Sequence, residues 1–139
     1  MSRWFNLEEF LTSSTAKQKS IENLPSFEVV EHLSQLAWFL DELRDAWGSG
    51  INITSGFRCD KLNRAVGGVT NSCHKYGWAA DIQPANGKFD DFKQCVVEFF
   101  KGKNFDEVII ENNKKTQWVH VQIYSPNGFQ RKKIFSLSV

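Results

Sequence analysis

Between residues 26 and 47 the apolar side chains fall at Val30, Leu33, Leu36, Ala37, Leu40, Leu43 and Trp47. This is the stripe of a helix, with Glu31, Gln35, Asp41 and Arg44 largely on its other faces. Pro25 suits the approach to its first turn, and Gly48 and Gly50 end it. His32 lies beside the stripe and reads as a surface or capping residue. Phe89, Phe92, Val96, Phe99 and Phe100 mark a second amphipathic helix that stops near Gly102. Elsewhere the period drops to two. INITS (residues 51–55) alternates like a strand, AADIQ reads as a brief strand ended by Pro84, and DEVIIE (106–111) and QWVHVQI (117–123) follow as a pair joined by NNKK. SPNG is a further turn and KKIFSL a last strand, while a short helix through Leu62 and Val66 closes on Gly67-Gly68. Asn6 with Glu9 forms a capping-box pattern for a short helix through Leu11, and SSTAKQKS reads as a second short turn or helix. The first 24 residues are thus expected to form a helical surface arm on a single domain. Helices early and antiparallel strands later predict an α+β fold, a central antiparallel sheet flanked by helices.

Composition narrows the function classes. The chain has 139 residues, 41% hydrophobic and 24% charged, which suits one globular domain. Seventeen Lys+Arg against sixteen Asp+Glu leave a net charge of +1, without the concentrated cationic excess of a nucleic-acid binder. The pairs Lys114-Lys115 and Lys132-Lys133 read as a solvated turn and a strand edge. No run is long and apolar enough to span a membrane, and the start, MSRWFNLEEFLTSS, lacks the basic cap and apolar stretch of a secretion signal. The expectation is a monomer made in the cytoplasm that reaches its substrate after release or export by another route. Cys59, Cys73 and Cys95 are odd in number and lack C-x-x-C spacing, so no disulfide scaffold is expected. Cys73 beside His74 reads as a small semi-buried filler rather than a thiolate ligand.

The chemistry is concentrated in SGFRCDKLNRAVGGVTNSCHKYGWAADI. His74, Gly77, Ala79 and Asp81 form H-x-x-G-x-A-x-D. An imidazole and a carboxylate are good donors to a first-row metal. At this separation they cannot share an ion from one helix face or one straight strand, but Gly77 lets the chain reverse between them. Small Ala79 and Ala80 allow close backbone approach in a sheet. His120, flanked by Val119 and Val121, points where Trp118 and Gln122 point and supplies a third donor. Two histidines and one aspartate on a tetrahedral zinc leave a fourth, open position, as in a catalytic site. On spacing alone, three ordinary polar residues with core hydrogen bonds explain the pattern equally well.

Taken together, SGFR, LNRAVGG, NSCH, H-x-x-G-x-A-x-D and WVHV resemble the zinc D-Ala-D-Ala carboxypeptidase family, which shares a superfamily with lysostaphin-type peptidases and the hedgehog signalling domain. The resemblance runs from about Asn6 to Ile123. It implies a zinc ion held by His74, Asp81 and His120, a fold of the hedgehog and DD-peptidase kind with its site on a central antiparallel sheet, and peptidoglycan stem peptides as substrate. It also implies that Arg58 lines the active site, gripping a substrate carboxylate or supporting an oxyanion, and that Ser72 contacts substrate. Trp118 either walls the cleft or packs. Some relatives place the general base three residues before the last histidine, where this chain has Gln117, and an amide cannot shuttle a proton. Others use a pattern like F-D-x-V-x-x-E, which FDEVIIE matches and which nominates Glu111, with Glu107 in reserve. A regular turn at NNKK would set Glu107 opposite His120 and leave Glu111 on the order of 13 Å away, so Glu111 requires an irregular or splayed connection. Three functions stay open: a carboxypeptidase, an endopeptidase of the phage-lysin kind cutting an L-Ala-D-Glu bond, and a zinc-bearing binding domain without catalysis.

Overall fold

A computed structural model describes residues 2–139 of the chain. The first three helices each begin where a side chain takes up an orphan N–H. Asn6 and Glu9 close a capping box around α1 (Leu7–Leu11), Ser13 caps α2 (Ser14–Gln18), and Ser26 caps the long α3 (Phe27–Trp47). Helix α3 ends at Gly48, whose left-handed φ of 76° carries no Cβ penalty. Its stripe Leu33, Leu36, Ala37, Leu40 and Leu43 is buried, as the spacing predicts. The first 24 residues do form two short helices, but they are more than a surface arm. Phe5 and Phe10 enter the main core, Ala16 is buried, and Phe57 N–H donates to Phe10 O at 2.7 Å.

Strands β1 (Ile51–Ser55), β2 (Ala79–Pro84), β3 (Glu107–Asn112), β4 (Gln117–Gln122) and β5 (Lys133–Ser138) form one sheet in the order β1-β2-β4-β3-β5. The first four pair antiparallel, but β5 runs parallel to β3, so the sheet is mixed rather than wholly antiparallel. Residues 123–132 carry the chain back from the end of β4, so β5 starts level with Glu107 rather than turning straight back against β4. Helices α3 and α5 (Phe89–Phe100) lie over one face, where Ala80, Ile82, Val108, Val119 and Val121 meet Leu36, Leu40, Phe92, Val96 and Phe100 in a single core. The alternation that buries the valines of β4 leaves Trp118, His120 and Gln122 on the other face.

Register settles which side chains share that open face. Asp81 pairs with His120, and His120 pairs with Ile109. Glu111 therefore lies across from Trp118 and Glu107 across from Gln122, each one step diagonal from His120. The expected turn at NNKK is off by one residue. Asn112 pairs with Gln117 as the last rung, and Asn113 side-chain oxygen accepts from Lys115 and Thr116 N–H to form the turn. That single step moves the register by two, so Glu111 needs no splayed connection.

Candidate metal centre

The open face is bordered by the loop that joins α4 (Asp60–Ala65) to a 3-10 turn (Cys73–Tyr76) and by the start of that turn. Ser72 caps the turn, its Oγ accepting from His74 N–H at 3.3 Å. Gly77 ends it at φ 76°, where a Cβ would stand 2.9 Å from Val29 O and 3.2 Å from the His32 Cβ. Helix α3 grips the turn there: the His32 ring donates to Tyr76 O at 2.6 Å and stacks on Trp78 with centroids 3.9 Å apart. His32 is therefore a fastener between elements rather than a plain surface residue. His74 is buried, and its Nδ1 donates to Gly56 O at 2.8 Å. Gly56 reaches this point because a bulge between Ile53 and Ser55 shifts β1 against Asp81.

With Nδ1 so engaged, His74 turns Nε2 to Asp81 Oδ1 at 3.4 Å, and His120 Nδ1 reaches the same oxygen at 3.0 Å. All three donor atoms lie within 4.8 Å of one another. Donors about 2.0–2.1 Å from a tetrahedral zinc stand roughly 3.3 Å apart, so the spacing and the chemistry of this set fit the ion. Burial disfavours charge on both rings. It wins at His74, whose pKa is lowered, whereas at His120 the hydrogen bond and charge of Asp81 outweigh it and the pKa is raised. Burial also opposes charge on Asp81, yet the two histidines hold its carboxyl far below the usual carboxylate range.

The donors lie in a cleft of about 650 Å³ that Arg58, Ser72, Glu111 and Trp118 also line. Arg58 is partly buried beneath the Gly67-Gly68 loop; a Cβ on Gly68 would come within 3.1 Å of its Nη1. Its Nε is buried without a hydrogen-bond partner. Burial lowers its pKa, against the opposing charges of Asp81 and Glu111. Trp118 Nε1–H donates to Glu111 Oε2 at 2.9 Å, and burial with the nearby Asp81 charge raises the Glu111 pKa. Glu107 shares the face but forms an ion pair with Arg131. Gln117 falls on the face of Val119 and Val121, away from the donors. Cys73 lines the cleft with its thiol hydrogen-bonded to Tyr124 O at 3.3 Å, and burial pushes its pKa up to about 12, so it is a filler and not a thiolate.

Three polar residues of the site escape a reading of the sequence: Asp106, Gln122 and Arg131. Gln122 alternates with His120 and could have been found on that ground, but nothing in the sequence joins Asp106 to Arg131, which lies 25 residues on. Among the described residues no helix is long and apolar enough to cross a membrane. A comparison with curated proteins returns no match. A family model described as Peptidase M15 matches residues 3–122, a span holding all three donors, Arg58 and Glu111. With that match over most of its length, the chain belongs to the M15 peptidases, a family of zinc D-Ala-D-Ala carboxypeptidase-like metallopeptidases.

Proposed function

We propose that the protein is a zinc-dependent peptidase that hydrolyses peptidoglycan stem peptides in the manner of a D-Ala-D-Ala carboxypeptidase. The observation that carries this reading is the convergence of His74, Asp81 and His120 beside a raised-pKa carboxyl and a guanidinium with an unspent donor. Zinc bound by the three would polarise the scissile carbonyl and lower the pKa of a water toward about 7. Glu111 is the general base. Its neighbour on the diagonal is His120, and its raised pKa suits a group that takes a proton from water and returns it to the leaving amine. Glu107 flanks His120 from the other side, but its carboxylate is engaged by Arg131. Arg58, which lines the cleft beside the donors, grips the substrate carboxylate or the developing oxyanion. Ser72, which accepts from His74 N–H, keeps its own O–H to give to substrate. Trp118 walls the cleft and aims Glu111.

A second reading, an endopeptidase, draws on the breadth of the open face. His120, Ile109 and Phe135 share one row of the sheet, so the face continues past the donors to the edge strand β5. That leaves room for chain on both sides of the bond cut. Digestion of purified wall material with the zinc-loaded protein, followed by mass spectrometry of the new termini, decides between them. Free D-alanine alone supports the carboxypeptidase, new internal termini support the endopeptidase, and no cleavage of any wall peptide overturns both in favour of a binding domain.

A further inference from the structure

We propose that Gln122, Asp106 and Arg131 form a polarised hydrogen-bond chain that fixes His120 as the Nε2–H tautomer and so presents Nδ1 to the cation. These are positioning residues, and the assignment rests on the metal reading above. The chain starts at Asp106, whose carboxylate is fully buried and accepts from Arg131 main-chain N–H at 3.1 Å, from Nε at 2.8 Å and from Nη2 at 2.8 Å. An ionised carboxylate has only acceptors. The group that meets Asp106 Oδ2 at 2.7 Å must therefore be the amide nitrogen of Gln122, which fixes the amide's orientation. Its oxygen then faces His120 Nε2 at 2.9 Å and can only accept, so the proton of the ring lies on Nε2. In the neutral ring that a cation requires, the lone pair is therefore on Nδ1, the nitrogen that faces Asp81.

The backbone holds this chain in place. Asp106 N–H donates to Gln122 O at 2.9 Å, and Lys133 N–H donates to Asp106 O at 2.9 Å. Lys132, between Arg131 and β5, takes a left-handed φ of 58°, which a lysine adopts only where its surroundings hold it, and its N–H donates to Phe105 O at 3.0 Å. Arg131 lies beyond the segment that the family model matches. The C-terminal segment thus supplies the charge that orients a donor three residues away in the hydrogen-bond chain.

The experiment uses the full chain loaded with Zn²⁺. Long-range proton–nitrogen NMR of the unmodified protein is expected to show His120 protonated on Nε2 with zinc on Nδ1. Competition against a chromophoric chelator is expected to show Gln122→Met binding Zn²⁺ about 10–100-fold more weakly than the parent, the usual cost of losing an outer partner of a ligating histidine. Zinc on Nε2 in the parent, or an affinity of Gln122→Met within about twofold of it, overturns the proposal. Should Gln122→Met fail to fold, the nitrogen assignment in the parent still decides. A parent that takes up no Zn²⁺ at all overturns the metal reading as well, whereas zinc bound through the wrong nitrogen overturns this proposal alone.

Discussion

His74 and His120 reach one site from two kinds of support. His74 comes from a capped 3-10 turn, and its outer nitrogen is held by a backbone carbonyl, Gly56 O, which no substitution removes. His120 comes from the middle of a strand, and its outer nitrogen is held by a side chain that is itself held by two more. The first arrangement is rigid because the bulged end of β1 and the Gly77 turn fix it. The second is adjustable, because each member is a side chain that can be exchanged without rebuilding the backbone. The catalytic candidates divide in the same way: Arg58 belongs to the loop half, Glu111 and Trp118 to the sheet half.

The harshest test treats the halves alike. His74→Ala and His120→Ala each remove one of three donors, and each is expected to lower zinc from about one per chain to none, measured by elemental analysis of the purified proteins. Activity is expected to vanish with it. Zinc retained in full by either variant would remove that histidine from the site and break the pairing of the two halves.

Glu111→Gln separates chemistry from metal within the sheet half. The amide keeps an acceptor for Trp118 Nε1–H but cannot carry a proton. The expected result is a fall in kcat of about 10²–10⁴-fold with zinc content unchanged. The same fall in Glu107→Gln, with Glu111→Gln active, would move the base to the other diagonal neighbour of His120.

Gly56→Ala strikes the loop half and is expected to act through stability. An alanine Cβ there would stand 2.4 Å from Phe10 O and 2.6 Å from Phe10 Cα, both backbone atoms that cannot swing aside. Overpacking of this kind costs about 1–3 kcal/mol, read from the midpoint of denaturant unfolding. A stability equal to the parent, with weakened zinc binding, would show that Gly56 tunes the metal as the Gln122 chain does and would erase the contrast between the halves.

The elements legible in the sequence are those whose side chains alternate or recur against one large core. The stripe of α3 and the valines of β4 announce their faces, and the valines place His120 on the open one. The Gly77 turn between His74 and Asp81 is legible because only a reversal brings those donors together, and its φ of 76° bears that out. Register is not legible at that level. A turn of four residues can begin at Asn112 or Asn113 with equal turn chemistry, and one step decides whether Glu107 or Ile109 stands across from His120. The parallel pairing of β5 and the Asp106–Arg131 pair depend on where a ten-residue excursion returns, which local pattern does not encode. His32 reads as a surface residue because its partner, Tyr76 O, is a backbone atom 44 residues away.

The smallest effect expected concerns the hydrogen bond between Trp118 and Glu111. A base must be ionised to act, so kcat/KM falls as pH drops through its pKa, and a raised pKa moves that loss to higher pH. The indole N–H favours the charged carboxylate and so works against the raising effects of burial and Asp81. Trp118→Phe keeps an aromatic wall but deletes the donor. The Glu111 pKa is then expected to rise further, shifting the acid limb of the kcat/KM profile upward by about half a pH unit to one unit, the equivalent of roughly 0.7–1.4 kcal/mol and of one lost hydrogen bond. If Trp118 only packs against substrate, KM changes while the limb stays where it was. A shift in the opposite direction would mean that Glu111 is not the group whose ionisation limits the reaction, and the sheet half would then contribute a metal donor but no base.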